Sequence, residues 1–380
     1  MSDTGSRTRR ARASRTRRRP GARRGPRWLL ALLAMLALVG MLAEPVRLRA
    51  VAATTVAEAL DLPVVRPAAA EVTRERTDLD GVEGDLYEVG PDAPAVVLIP
   101  GAAPRGIEDP RIVQLAEAIA RAGRTVFVPQ LEVYEETLVT ADIDRLVAAT
   151  RALSDEPRGP AVLLGTSFGG SLGMLAAADD RLEGRVALVA SFGAYADLLG
   201  VLQAATTGHS LVGDQRIAWE DPHPDAEQIV RDQLADLLDP ADRRQLRRLL
   251  DDTLAVADAD GPARAAHALL TNEDPARTAA LARRLPTEVR QRLAEVSPVT
   301  VADDLDAPVL AMHSVRDPAI PFGELRRLEE ALPHARIITL ERFDHVELDL
   351  QGPRDVLEAL GDLRRTWRFA TEVLAAESAG

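Results

Sequence analysis

The stretch Gly165-Thr166-Ser167-Phe168-Gly169 decides how this chain folds. An aliphatic run, Ala161 to Leu164, precedes it, and a run of small residues with helical character, Gly169 to Ala176, follows. This order predicts a strand, a sharp turn and a helix. The serine can occupy a strained turn there because its neighbours in the motif are small, and only small neighbours leave room for such a turn. We therefore expect the Ser167 hydroxyl to stand above the carboxyl end of a strand.

Short apolar runs alternate with helical periods from about residue 71 onward. A helix is predicted that is capped at Asp109-Pro110, with Pro110 at its first position, and that ends before Gly123. Another helix is predicted around Ala141 to Leu153. The alternation predicts a mostly parallel sheet covered on both faces by helices. The predicted strands are Ala95 to Ile99, Thr125 to Val128, Ala161 to the turn at Ser167, Val186 to Ala190, Val309 to His313 and Arg336 to Leu340.

Strand patterns stop between about residues 197 and 300. Leucines at helical spacing, from Leu246 to Leu254, and Asp-Pro pairs at 239–240 and 274–275 take their place. We expect a helical insertion that caps a substrate pocket. The alternative is a peripheral helical addition that does not touch the substrate.

The charge of the chain is unevenly distributed. The 380 residues carry a net charge of −13, but residues 1–27 hold eleven arginines and one aspartate, a balance of +10 that leaves −23 for residues 28–380. An acidic body argues against nucleic acid as a partner of the folded part, because binding to phosphates needs a basic face.

The residue types also limit the chemistry. The chain has no cysteine, which excludes disulfides, thiolate nucleophiles and cysteine-ligated metals. Histidines and carboxylates do not show the spacing of metal ligands, and the glycines between 165 and 173 do not follow a phosphate-binding pattern. We expect neither a metal nor a cofactor.

An apolar segment follows the arginine-rich tail. Residues 28–43 carry no charge, and as a helix they would span about 24 Å, slightly less than the ~30 Å hydrocarbon core of a bilayer. We interpret residues 1–27 as a disordered cytoplasmic tail, 28–43 as a transmembrane anchor and 44–70 as a linker, with the body outside the cytoplasmic membrane. The alternative is a secretory signal cleaved at Ala50-Val51-Ala52, which would release the body.

Over roughly residues 71 to 380 the chain resembles the α/β-hydrolase family. The resemblance rests on the turn at Ser167, on the loop at Pro100-Gly101 after an earlier strand, and on two late loops that contain Asp317 and His345. It implies the α/β-hydrolase fold, with a mostly parallel sheet flanked by helices and a cap at about 197–300, and an activity like that of serine esterases and lipases.

The family has a serine, an acid and a histidine in that order along the chain. The resemblance makes Ser167 the nucleophile, Asp317 the acid after the penultimate strand, and His345 the base after the last strand. A serine hydroxyl needs such a base to remove its proton, and the base needs the acid to hold its tautomer.

Other residues compete for two of these roles. His313 is the alternative base, although its place at the end of a strand favours burial. Asp197 and Asp344 are alternative acids, and Asp317 could instead be an ordinary turn aspartate before proline.

The resemblance also implies an oxyanion hole. Its donors would be the backbone N–H groups of Phe168, directly after the nucleophile, and of Ala102, in the loop after the first buried strand. That loop begins with Pro100 where the family commonly has His-Gly, a change that leaves backbone donors available.

Together these residues favour hydrolysis of a carboxylic ester or thioester through an acyl-serine intermediate. The substrate would be a small ester or a lipid-like molecule. Two alternatives remain: an envelope acyltransferase that passes the acyl group to an acceptor other than water, and a non-catalytic domain that binds a ligand or a partner.

Overall fold

Twelve strands are found in the part of the chain that a computed structural model describes, which comprises residues 48–57, 71–101, 103, 105–135, 140–155, 157–341, 343–344, 347–348 and 353–376. In chain order they are β1 (Thr73–Leu79), β2 (Val82–Glu88), β3 (Ala95–Ile99), β4 (Thr125–Pro129), β5 (Ala161–Thr166), β6 (Val186–Phe192), β7 (His209–Val212), β8 (Gln215–Ala218), β9 (Val309–Ser314), β10 (Arg336–Leu340), β11 (Phe343–Asp344) and β12 (Glu347–Leu348).

Eight of these described strands form one sheet, in the order β1-β2-β4-β3-β5-β6-β9-β10. Strand β2 is antiparallel to both of its neighbours, and every other adjacent pair is parallel. The prediction of a mostly parallel sheet is confirmed. Because parallel strands end at the same edge, the residues that follow β3, β5, β6, β9 and β10 meet there.

Helices cover the sheet on both faces. All residues of β3 and β4 are buried, including neighbours whose side chains point to opposite faces. The helices are α1 (48–57), α2 (Pro110–Arg121), α3 (Thr140–Leu153), α4 (Phe168–Ala177), α5 (Leu198–Thr207), α6 (Ala226–Asp236), α7 (Pro240–Leu250), α8 (Gly261–Leu270), α9 (Thr278–Ala282), α10 (Thr287–Glu295), α11 (Gly323–Ala331) and α12 (Pro353–Ala375).

The cap predicted for α2 forms as expected. The Asp109 side chain accepts a hydrogen bond from the backbone N–H of Arg111, and Pro110 occupies the first turn, where its missing N–H is harmless. Gly123 follows the helix with a φ of +94°, a conformation that glycine adopts without strain. This capped helix connects β3 to β4.

The insertion between β6 and β9 is mostly helical, as predicted, but it also contains a hairpin that the sequence pattern did not reveal. Strands β7 and β8 pair in antiparallel register, with Val212 opposite Gln215. Only Gly213 and Asp214 separate the strands, a composition typical of a tight hairpin. Each strand is only four residues long, too short to show clear alternation against a helical background.

A second hairpin, β1–β2, precedes the predicted strands. Leu79 pairs with Val82, and Asp80 and Gly81 in the turn both have positive φ, +55° and +84°. Asp-Gly is the preferred sequence for such a turn. This dipeptide was the available signal for two strands that the sequence analysis did not identify.

Helix α1 lies inside the predicted linker 44–70. Its Ala52 is completely buried against the rest of the protein, and the indole N–H of Trp367 donates to the carbonyl of Arg49 at 2.8 Å. The segment 48–57 is therefore packed against α12 rather than extended. The predicted tail and anchor, residues 1–27 and 28–43, lie outside the described residues. Within those residues, none of the helices combines the length and the apolar character needed to cross a bilayer.

Candidate active site

Ser167 occupies a turn of a single residue. Strand β5 ends at Thr166 and α4 begins at Phe168. The Ser167 backbone has φ +52° and ψ −132°. Residues other than glycine rarely adopt this conformation, which costs roughly 1–3 kcal/mol. Its N–H donates to the carbonyl of Phe192 at 2.8 Å, and its carbonyl accepts from Gly170 at 3.0 Å. The turn is thus held by bonds at both sides of the strained residue.

The glycines of the motif are required by close contacts. A Cβ atom at Gly165 would collide with the backbone of Gly170, and one at Gly169 would collide with the carbonyl of Ile99. At Gly101 a Cβ atom would lie 2.7 Å from the Cβ of Ser167. The loop after β3 therefore passes directly beside the serine side chain, as the motif requires.

A strained serine between a parallel strand and a helix, at the carboxyl edge of a mixed sheet, decides the fold. The chain has the α/β-hydrolase fold. The α/β-hydrolase fold predicted from the sequence is confirmed by this turn and by the order and direction of the strands.

Several solved structures are similar to this α/β-hydrolase chain at low sequence identity. An acylaminoacyl peptidase of Pyrococcus horikoshii is 14% identical, with a TM-score of 0.46 over 83% of this chain and 43% of its own. A puromycin-hydrolyzing peptidase of Mycobacterium tuberculosis is 17% identical, with a TM-score of 0.46 over 84% of this chain and 42% of its own. A carboxyl esterase of Tuber melanosporum is 16% identical, with a TM-score of 0.47 over 83% of this chain and 89% of its own.

The chain spans less than half the length of the two peptidases. No protein-family model and no curated protein sequence matches it.

Of the two predicted oxyanion donors, the structure describes only Phe168. The N–H of Phe168 is the first of α4, where the geometry of a helix provides no intrahelical acceptor. Its ring packs edge-to-face on Tyr195, with 5.5 Å between centroids. Ala102 lies outside the described residues, but the N–H of its neighbour Gly101 donates to the hydroxyl of Thr166 at 3.3 Å. Thr166 thus ties the loop after β3 to the turn.

Asp317 follows β9, two strands away from β5 in the same parallel part of the sheet. Its carboxylate is buried, and Oδ1 accepts hydrogen bonds from the N–H groups of Ala319 and Ile320, both at 2.9 Å. Oδ2 lies 3.7 Å from Nε2 of His313. Asp317 therefore organises its own loop, and it lies at the sheet edge where Ser167 also lies.

Two of the three alternative residues, His313 and Asp197, have structural roles. His313 is buried, and its Nε2 lies 3.1 Å from the carbonyl of Ile320, which can only accept, so this nitrogen carries the proton. Asp197 caps α5 by accepting from the N–H of Leu199 at 3.0 Å. Asp344 lies in the short strand β11, and its side chain is not described.

The predicted base, His345, is outside the described residues, although the start of its loop is described. Glu341, directly after β10, donates its N–H to both carboxylate oxygens of Asp362, at 3.1 and 3.0 Å. Asp362 is completely buried on α12, where Arg365 also donates to it at 2.8 Å. The helix therefore fixes the point at which the loop of His345 begins.

Asp362 was not among the residues predicted from the sequence. Its spacing from Phe369 and Val373 places it on the buried stripe of α12. A lone carboxylate in an apolar stripe was the available signal, because a buried charge needs partners. Among the described residues, no three histidine, aspartate or glutamate side chains are grouped so that they could hold a metal ion.

Proposed function

We propose that this protein is a serine hydrolase that cleaves a carboxylic ester or thioester through an acyl-enzyme on Ser167. The observation that carries the proposal is the positive φ of Ser167 in a one-residue turn between β5 and α4. Strain of this kind persists only where the surrounding structure imposes it, and it concentrates at functional sites. Here it serves to raise the hydroxyl above the sheet.

The remaining residues take the roles that the family resemblance implies. His345 removes the Ser167 proton as Oγ attacks the acyl carbon, and Asp317 holds the imidazole and stabilises its charged form. The N–H groups of Phe168 and Ala102 donate to the developing oxyanion. His345 then gives its proton to the departing alcohol or thiol, and water attacks the acyl-enzyme by the same steps in reverse order.

The proposal extends to the location of the site. Eleven arginines in residues 1–27 precede the uncharged segment 28–43, and such a charge pattern keeps an N-terminus in the cytoplasm. The hydrolase would then face the far side of the membrane, where small esters and lipid-like molecules are candidate substrates.

A fluorophosphonate probe tests the nucleophile on the full chain. We expect wild-type protein to be labelled on Ser167 and Ser167→Ala to remain unlabelled, because the probe reacts only with an activated serine. Turnover of a p-nitrophenyl ester should fall by on the order of 10⁴-fold or more in the same variant. Mass spectrometry of the labelled peptide identifies the modified residue.

Ser154→Ala is the matched control, since it also removes a serine hydroxyl, here at the end of α3. This variant should be labelled like the wild type. If wild-type protein is labelled no better than Ser167→Ala, the proposed function is wrong. Addition of small alcohols to the ester assay distinguishes hydrolysis from acyl transfer, because a transferase forms the new ester in preference to the free acid.

A further inference from the structure

The loop that carries Asp317 is hydrogen-bonded to the insertion. The indole N–H of Trp219 donates to the backbone carbonyl of Asp317 at 2.8 Å, and this bond is buried. The backbone N–H of His223 donates to the next carbonyl, that of Pro318, at 2.7 Å. Two successive carbonyls of the acid loop thus accept from one short segment of the insertion.

Trp219 is itself firmly held. It follows β8, its backbone N–H donates to the carbonyl of Gly208 at 2.9 Å, and the residue is only 7% exposed. The ring packs on Ala204 of α5 and Ala226 of α6. Its position is therefore set by the insertion, and it presents a fixed donor to the acid loop.

Among the described residues, further bonds of the acid loop come from the loop itself and from the sheet. The Asp317 carboxylate accepts from Ala319 and Ile320, and the ring of His313 binds the carbonyl of Ile320. These bonds fix the shape of the loop. The bonds from Trp219 and His223 add a support from outside, and only the one from Trp219 comes from a side chain that a substitution can remove.

We propose that Trp219 is a positioning residue for Asp317, an inference that rests on the proposed function. Its indole N–H fixes the position of the backbone carbonyl of Asp317. The carboxylate of the same residue is thereby oriented toward the base. A misplacement of about 1 Å in such a group lowers the rate by on the order of 10²-fold.

The test is Trp219→Phe in the full chain, with Trp367→Phe as the matched control. Both tryptophans donate an indole N–H to a backbone carbonyl at 2.8 Å, but Trp367 binds Arg49 on α1. We expect the maximal rate of fluorophosphonate labelling at Ser167 to fall about 10-fold or more in Trp219→Phe, with the apparent affinity for the probe changed less than about 2-fold. Trp367→Phe should keep the wild-type rate.

The pH profile supplies a readout that a merely structural role would not move. A misplaced carboxylate stabilises the charged imidazole less, so the acidic limb of the labelling rate should shift to lower pH in Trp219→Phe. Replacement of the Trp219 indole by benzothiophene, which has the same shape with sulfur in place of N–H, should reproduce the rate loss and the shift. This second variant keeps the packing, so it answers the question even if the phenylalanine variant folds poorly.

Three results separate the possibilities. If the wild type is labelled at Ser167, and both Trp219 variants keep the wild-type rate and pH profile, the inference about Trp219 is wrong and the proposed function stands. A lower thermal midpoint without a shift of the acidic limb also overturns it, because Trp219 would then only support the fold. Absence of Ser167 labelling in the wild type overturns the proposed function and this inference with it.

Discussion

At Ser167 the backbone has a positive φ that a serine side chain disfavours. The strain is retained because its neighbours leave no other path: β5 ends one residue earlier, α4 begins one residue later, and Gly101 passes beside the side chain. Strain of this kind trades stability for the exposure of a reactive group. The motif predicts this turn from the sequence, because the local geometry of the turn requires each of its glycines.

We expect Ser167→Gly to be more stable than Ser167→Ala by about 1 kcal/mol in free energy of unfolding. Both variants lack the hydroxyl, so the comparison isolates the backbone. Glycine adopts positive φ freely, and its larger freedom in the unfolded chain offsets only part of that gain. Urea denaturation measures the difference.

The same pair of substitutions at Ser154 provides the control. Ser154 is not among the residues with positive φ, so glycine there should be less stable than alanine by about 0.5–1 kcal/mol. Equal stability of the two Ser167 variants would show that the turn is not strained.

At the scale of the elements, a buried carboxylate connects α11 to the start of the insertion. Oε2 of Glu324 accepts from the N–H groups of Ala196 and Asp197, at 3.1 and 2.8 Å, and Oε1 accepts from Arg327 at 3.0 Å. Arg327 also donates to Gln203 of α5 at 2.8 Å. This polar network is therefore one of the attachments between the insertion and the sheet domain.

The pKa of Glu324 should make the stability of the protein depend on pH. This pKa is raised to about 7, mainly because the carboxyl is buried; Arg327 opposes the shift, the nearby Asp197 adds to it, and the two backbone N–H groups oppose it. The folded state therefore holds the Glu324 proton over a pH range in which the unfolded chain has lost it. The stabilisation that protonated Glu324 gives to the folded state is complete below about pH 4.3, and it is lost as the pH rises through about 7.

We expect the free energy of unfolding of the wild type to fall between pH 5 and pH 8 relative to that of Glu324→Gln, by about 1–3 kcal/mol. Glutamine is neutral at every pH, so the variant lacks this titration. Urea denaturation at several pH values measures both proteins. Glu330→Gln, an exposed position on the same helix, is the control and should follow the wild type; a Glu324→Gln curve parallel to the wild type would contradict the expectation.

At the scale of the whole molecule, the last described helix, α12, contacts both the first described helix, α1, and the residue before β4. Trp367 binds α1, and the guanidinium of Arg124, just before β4, donates to the carbonyls of Leu374 and Ala376 at the end of α12. A cation at a helix C-terminus satisfies carbonyls that have no intrahelical donor. The domain with the α/β-hydrolase fold thus includes residues 48–57 as part of its packing.

We expect Ala52→Asp to lower the free energy of unfolding by roughly 2–3 kcal/mol, because a charge at this completely buried position forces α1 away from α12. The loss is limited to the free energy of docking of α1. The fluorescence of Trp367 should shift to longer wavelength as its carbonyl partner leaves. Thermal denaturation and emission spectra measure the two effects.

Ala53→Asp is the matched control, since the neighbouring residue is exposed and the same charge there should leave both readouts unchanged. If Ala52→Asp and Ala53→Asp behave alike, α1 is not a packed part of the domain.

The sequence by itself determined the features that depend on neighbouring residues. The strand, turn and helix around Ser167, the capped start of α2 at Asp109 and the alternation that gives a parallel sheet were all predicted, because periodicity and turn chemistry are local. The roles of Asp317 and His345 came from a family resemblance and stay predictions, as do those of Phe168 and Ala102.

Only the tertiary structure decided the contacts between distant segments. Trp219 meets Asp317 across 98 residues of sequence, and Trp367 meets Arg49 across 318. Neither pair has a local signature, since a buried donor finds its acceptor only when the elements pack. For that reason Ser167 could be identified as a candidate nucleophile from its own neighbours, whereas the support of the acid loop by Trp219 became visible only in the fold.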